Sequence, residues 1–202
     1  MKKNHVDTRR MVLLAMLSCI LLIMSFTPLG YLPIGPLAIS LNMIPVAIGA
    51  VALGPGGGAF LGAVFGITSC LQCVGIGGTS PMGVILFEIS PALTIIQRLI
   101  PRIMAGWLTG MTYRGLRKVH FRYDVYAAGF SAALYNTLLF MTALIALFYN
   151  TEYLQGLIGG NNVLLWAVLF VGINVLLELL AATVIVGFVC KALEKIKMIG
   201  GK

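Results

Sequence analysis

The sequence predicts an all-α fold: an integral membrane bundle of six transmembrane helices, forming a single membrane domain over residues 1–202, with both termini cytoplasmic. Three observations predict it. First, 59% of the 202 residues are hydrophobic and only 10% are charged, with a mean hydropathy of +1.00. A soluble domain is about 45–50% apolar and about 25% charged, and one core of this size cannot hide the excess. Second, the apolar residues gather into six runs on the scale of the ~20 residues a bilayer helix needs. Third, twelve of the 14 Lys and Arg fall into three clusters: Lys2, Lys3, Arg9 and Arg10; Arg114, Arg117, Lys118 and Arg122; and Lys191, Lys195, Lys197 and Lys202. Positive charge marks the cytoplasmic side, so both ends and the 114–124 linker lie inside. The composition excludes a soluble enzyme and a disordered chain. No basic segment is interleaved with stacking aromatics, which argues against nucleic acid as a partner. The lipid bilayer is the solvent, and the implied location is the cell membrane, multi-pass.

The elements follow in order. Residues 11–27 form the first span; the run has no small-residue cleavage site and so does not read as a signal peptide. Residues 28–36 hold three prolines and two glycines, which stop a helix. This loop is nevertheless apolar, as a lid packed on the protein would be. The second span covers 37–53, with Pro45 inside it, and residues 54–58 make a tight turn into the third span, 59–74. A second Gly/Pro-rich loop, 75–81, and semi-apolar sequence up to Pro91 precede the fourth span, 92–113, which contains Pro101. The fifth span is 126–149. Residues 150–162 carry Glu152 and no Lys or Arg, so they belong outside. The sixth span, 163–190, is the longest.

Small residues recur every four positions. Gly58, Gly62 and Gly66 lie on the third span, Gly106 and Gly110 on the fourth, and Ala15 and Cys19 on the first. In lipid, close backbone approach replaces hydrophobic drive between helices. These stripes therefore mark internal packing or a face for another subunit. Cys70 and Cys73 have CxxC spacing, but no second pair accompanies them, so small-residue packing is the simpler reading against a zinc or redox site.

Polar groups inside the spans are the informative residues. A charge there costs at least ~2.5 kcal/mol on insertion scales and usually marks a site. Arg98 and Arg102 are four apart, on one helix face, at about 10 Å and 16 Å along the helix from Pro91 at ~1.5 Å per residue. Asn174 and Glu178 are likewise four apart on the sixth span. Asn42 starts the second span, Gln72 ends the third, Gln97 precedes Arg98, and Asn136 lies on the fifth. With Tyr31 from the first loop, this set suggests an outward-facing polar pocket beneath two apolar loops, with Arg98 assigned to an acidic group of the ligand. The alternative for Arg102 and Glu178 is a pair that holds the bundle together. Trp107, Tyr135 and Trp166 either line the pocket or anchor the spans at the interface.

No catalytic chemistry or cofactor is expected. The sequence has no GxxxxGK[ST] phosphate loop, no HExxH and no GxSxG elbow, and both histidines, His5 and His120, fall on the cytoplasmic side. Active transport would take its energy from a partner.

The stretch Ile44-Pro-Val-Ala-Ile-Gly-Ala-Val-Ala-Leu-Gly-Pro55, then Gly58-Ala-Phe-Leu-Gly-Ala-Val-Phe-Gly66 and Ile100-Pro-Arg-Ile-Met-Ala-Gly106, resembles the substrate-binding S component of energy-coupling factor (ECF) vitamin transporters. The resemblance covers nearly the whole chain. It implies a six-helix bundle that captures a small-molecule vitamin outside, beneath the loops after the first and third spans. It also implies partners: an ECF module made of a transmembrane coupling subunit and two cytosolic ATPases. The family docks through an AxxxA pattern on its first span; Ala15 matches it and Cys19 departs from it while staying small. The subgroup with the IP…LGP turn includes pantothenate and folate binders, and two intramembrane arginines favour a small acid such as pantothenate. The competing class is a self-sufficient secondary transporter or channel, which needs mid-membrane coupling carboxylates; Glu178 is the one that qualifies.

Overall fold

In a computed structural model, residues 8–27, 30–34, 37–77, 80–160 and 162–195 are described. Eight helices and one hairpin follow in order: α1 Thr8–Ser25, β1 Tyr31–Ile34, β2 Leu37–Ser40, α2 Met43–Leu53, α3 Pro55–Cys73, α4 Pro81–Ile89, α5 Pro91–Lys118, α6 Asp124–Phe148, α7 Glu152–Ile158 and α8 Val163–Lys195. The chain is a multi-pass membrane protein. Four segments among the described residues are long and apolar enough to cross a bilayer: α1, α3, α6 and the Asn174–Lys195 part of α8.

Several boundaries expected from the sequence are corrected. The second span does not begin at Leu37. Residues 37–40 pair antiparallel with 31–34, Tyr31 opposite Ser40 and Ile34 opposite Leu37, so the first apolar loop is a β-hairpin on a helical body. Pro33 is tolerated because a two-stranded sheet has only edge strands. What remains, α2, has 11 residues. That is about 16 Å of helix, half the ~30 Å hydrocarbon core. The turn expected over 54–58 shrinks to Gly54, which takes φ +83°; Pro55 already opens α3, where its missing N–H costs nothing. The semi-apolar stretch before Pro91 is a helix, α4. The helix expected over 92–113 runs on into the basic linker, as far as Lys118. The segment between α6 and α8 holds α7, capped by the Thr151 hydroxyl accepting from the Leu154 N–H and ended by Gly159 in the left-handed region. The last helix is broken at Gly172, whose φ/ψ of 16°/−112° is not helical.

The glycine stripes are internal. A Cβ on Gly58 would strike the Gly106 carbonyl oxygen, one on Gly62 the Arg102 carbonyl oxygen, and one on Gly66 the Leu99 side chain at 2.7 Å. On the facing side, a Cβ on Gly110 would lie 2.6 Å from Pro55 Cα. Backbone thus meets backbone along the whole α3–α5 seam, which fixes the depth and rotation of α5. A smaller contact of the same kind puts Gly129 of α6 against the Ala182 carbonyl of α8.

Two apolar cores result. The larger joins Leu13, Leu17 and Leu21 of α1 to α2, Phe65 of α3, Ala105 of α5, Ala132 of α6 and Val186 of α8. The smaller, at the other end, gathers Leu86 of α4, Leu144 and Phe148 of α6, Leu154 and Ile158 of α7 and Trp166 of α8. Outside, Ile67, Leu138, Leu176, Leu180 and Phe188 are each more than half exposed, as a lipid-facing surface requires.

Candidate functional site

One face of α5 carries Thr94, Gln97, Arg98, Pro101 and Arg102, all buried. The α3 seam aims this face at the interior. Arg98 is 5% exposed and Arg102 4%. The Arg98 guanidinium donates through Nη1 to Ser69 Oγ of α3 and through Nη2 to Ser80 Oγ, both at 3.2 Å. Ser80 stands at the N-cap of α4 yet makes no side-chain cap bond; its hydroxyl serves the arginine instead. A Cβ on Gly83 would sit 2.7 Å from Arg98 Nη2 and 2.8 Å from Cys73 Sγ, so α4 lies directly on the guanidinium. Arg102 Nη1 donates to the Arg98 carbonyl at 2.6 Å, and its guanidinium lies over the Phe65 ring at 4.4 Å. The Phe140 ring of α6 faces both arginines, 5.5 Å from Arg98 and 5.6 Å from Arg102.

Near this pair several buried side-chain polar atoms have no protein partner. Both side-chain polar atoms of Asn42 and of Gln97 lack a hydrogen-bond partner, as do Arg98 Nε, Asn136 Oδ1, Glu178 Oε1 and Ser40 Oγ. Asn42 and Gln97 are fully buried. Such an orphan costs roughly 1–3 kcal/mol each, and native proteins keep few of them. They lie on β2, the start of α2, α5, α6 and α8, elements that pack on one another. Asn42 occupies the N-cap position of α2 without capping it, and its Oδ1 lies beneath Gly30, next to the hairpin. Pro101 has no N–H, so the helical bond to the Gln97 carbonyl cannot form. Glu178 is 8% exposed; Arg102 lies within Coulombic reach of its carboxylate and Asn136 beside it. Buried donors and acceptors left unpaired on neighbouring elements suit a polar ligand that supplies the missing bonds.

The residues singled out from the sequence therefore divide. Asn42, Gln97, Arg98, Arg102, Asn136 and Glu178 all point into the interior from packed neighbours. Asn174 is half-buried, just past the break at Gly172. Gln72 has a different place: its Nε2 donates to the Ser25 carbonyl at 2.5 Å, and Thr68 Oγ1 donates to Ser25 Oγ at 3.1 Å, so it ties α3 to the end of α1. The Tyr31 backbone belongs to β1, and its side chain lies outside the described residues. Trp107 is 45% exposed, Trp166 packs in the smaller apolar core, and Tyr135 hydrogen-bonds Thr112 at 3.0 Å. Ala15 and Cys19 face outward from α1. Sequence reading misses Phe65, Ser69, Ser80, Gly83 and Phe140. A serine before a proline signals a helix cap, and nothing local in Ser80-Pro81 announces an arginine.

The family description "ECF transporter, substrate-specific component" matches residues 9–189. The chain belongs to this family of ECF transporter substrate-specific components. It is a transporter component and not a member of an enzyme family. It is also similar to "Pantothenate transporter PanT" of Leuconostoc mesenteroides subsp. mesenteroides, at 28% identity over 200 residues, 94% of each chain. For a substrate-specific component, the site of interest is the one that holds the substrate. Among the described residues, the buried polar side chains around α5 are candidates for that role.

Proposed function

We propose that the chain is the substrate-capture subunit of an ATP-driven vitamin importer in the cell membrane, and that its substrate is pantothenate. The observation that carries this reading is the set of orphaned polar atoms around two buried arginines. A guanidinium in a low-dielectric site favours a carboxylate, held through parallel hydrogen bonds. Pantothenate has one carboxylate at one end and an amide and two hydroxyls along the rest. Arg98 takes the carboxylate, and Gln97, Asn42, Asn136 and Glu178 take the hydroxyls and amide. The relative's name supports the choice of vitamin. The hairpin and α4 act as lids over the site.

In this reading α2 joins the hairpin and α5 joins the four apolar helices to make six spans, with both termini cytoplasmic. The five clustered basic residues near the end of α5 and α8, Arg114, Arg117, Lys118, Lys191 and Lys195, support that orientation. Coupling comes from a membrane subunit with two cytosolic ATPases, docked on the outward face of α1 at Ala15 and Cys19.

Two measurements test this. Isothermal titration of the purified protein with pantothenate is expected to give saturable, one-to-one binding, with the same vitamin found by mass spectrometry in protein purified without added ligand. A different copurified molecule and no response to pantothenate would overturn the assignment. For the docking face, Cys19→Trp is expected to abolish uptake in cells while leaving pantothenate binding unchanged. Uptake at the original rate would remove α1 from the coupling interface.

A further inference from the structure

We propose that Ser69 and Ser80 are positioning residues for Arg98: two neutral hydroxyls hold its guanidinium in one orientation without compensating its charge, which is left for the acid of the ligand. The inference rests on the proposed capture of pantothenate and names the residues on which the preference for an acid depends.

A guanidinium is planar and carries five N–H donors. Two of those on Arg98 are taken by serine: Nη1 donates to Ser69 Oγ and Nη2 to Ser80 Oγ, each at 3.2 Å. Nε is buried and has no protein partner. Bonds from two different nitrogens to two oxygens fix the rotation of the plane. The oxygens come from separate elements, Ser69 from α3 and Ser80 from the N-cap position of α4. The glycine seam holds the first in place; a Cβ on Gly66 of α3 would lie 3.4 Å from the Arg98 carbonyl oxygen. The second is within reach because Gly83 has no side chain: a Cβ there would lie 2.7 Å from Nη2 and 3.0 Å from Ser80 Cβ.

The type of these residues matters as much as their place. Ser80 stands where serine, asparagine and aspartate all cap helices well, yet it makes no side-chain cap bond. Helix capping therefore does not account for its hydroxyl. An aspartate would hold the guanidinium more tightly and would also neutralise it. Arg117, at the other end of α5, is held that way by Glu194 at 2.5 Å. A serine hydroxyl keeps the direction and leaves the charge. An arginine so held gains most from a carboxylate that arrives with the ligand.

The test compares pantothenate with pantothenol, its neutral alcohol, by titration of the full chain and its variants, with thermal unfolding recorded alongside. The unaltered protein is expected to favour pantothenate by at least about tenfold. Ser69→Ala and Ser80→Ala are each expected to cut that preference by at least about threefold. In an Arg98→Ala background neither is expected to change it further, since both act through Arg98. Ser80→Asn supplies a neutral acceptor and is expected to keep the preference. Ser80→Asp caps α4 equally well and is expected to abolish it. A bond that served only to tie α4 to α5 would give the opposite order, Ser80→Asp being the stronger tie. An unchanged preference in both alanine variants, equal losses for the two ligands, or a preference that survives Ser80→Asp overturns the proposal. A rise in pantothenate affinity in Ser80→Ala also overturns it, because Ser80 would then compete with the acid for Arg98. Ser69 is fully buried and Ser80 half-buried, so if Ser69→Ala does not fold, the Ser80 series decides. In all these cases pantothenate binding by the unaltered protein leaves the vitamin assignment standing. Equal binding of pantothenate and pantothenol by the unaltered protein overturns the positioning role and spares that assignment. Binding of neither overturns the assignment, and the positioning role falls with it.

Discussion

Arg98 and Arg117 stand on the same helix, α5, about 28 Å apart along its axis at ~1.5 Å per residue, and they are treated in opposite ways. Arg117 is surrounded by protein partners. Its Nη1 donates to Glu194 at 2.5 Å on α8 and to the Tyr113 hydroxyl, and Asp124 of α6 lies 3.8 Å away. Its side chain is 41% exposed, so water completes what the protein omits. Arg98 is buried where water is scarce, and its side-chain partners are two serine hydroxyls and a ring face. The difference teaches what each is for. Arg117 clamps α5, α6 and α8 where they meet. Arg98 has been left with unspent bonding capacity, next to Gln97, which has more. In the proposed function, the ligand fills that capacity.

The sharpest way to break the comparison is to remove Arg98. Losing one charged hydrogen-bond partner at a buried site costs about 2–5 kcal/mol, which at 1.4 kcal/mol per decade is roughly thirty-fold to several thousand-fold in affinity. Arg98→Ala is expected to weaken pantothenate binding by that amount while the purified protein stays monodisperse. Arg98→Lys is expected to restore little, because an ammonium cannot present two parallel donors. Affinity retained in Arg98→Ala, measured by the same titration, would place the acid elsewhere.

A middle-sized effect sharpens the other half. Gln97 has both side-chain polar atoms buried and unpaired, so replacing it with an apolar side chain of similar length removes a penalty instead of a contact. Gln97→Met is expected to raise the stability of the empty protein by roughly 1 kcal/mol, at the low end of the orphan cost, and to lower ligand affinity. A thermal shift without ligand, followed by one with saturating pantothenate, reads both signs. Lower stability in the empty variant would mean that Gln97 is a strut.

Gln97 also shows where sequence reading stops. Gln72 and Gln97 are the same residue type, each on a helix of the α3–α5 seam, and the residue type does not say which of them finds a partner. Gln72 finds the Ser25 carbonyl; Gln97 finds none. The partner comes from another helix, and one sequence does not state which helix that is. The arginines were legible for the opposite reason: charge in an apolar span is expensive enough to need an explanation by itself. The α3–α5 seam was legible as glycine spacing, although its partner face was not. Elements failed at short apolar runs. Residues 37–40 continue the hydropathy of α2, and periodicity does not separate a four-residue strand from a helical turn. The same holds for α4, hidden between Pro81 and Pro91.

The smallest effect tests the clamp. Arg117→Ala removes the bonds to Glu194 and Tyr113; Tyr113 is buried, but the charged pair Arg117–Glu194 sits near water. Exposed ion pairs are worth about 0.2–1 kcal/mol, because solvent screens the attraction and holding two long side chains still costs entropy. The position of α5 does not hang on this contact, since the glycine seam with α3 fixes it from Gly58 to Gly66. Arg117→Ala is therefore expected to lower stability by less than about 1 kcal/mol, more visibly at low salt than at high salt. Its pantothenate affinity is expected to match the unaltered protein within error. The informative failure is a loss of affinity without a loss of stability. That result would mean that the C-terminal ends of α5 and α8 report to the region around Arg98, and the two arginines would then be coupled parts of one device.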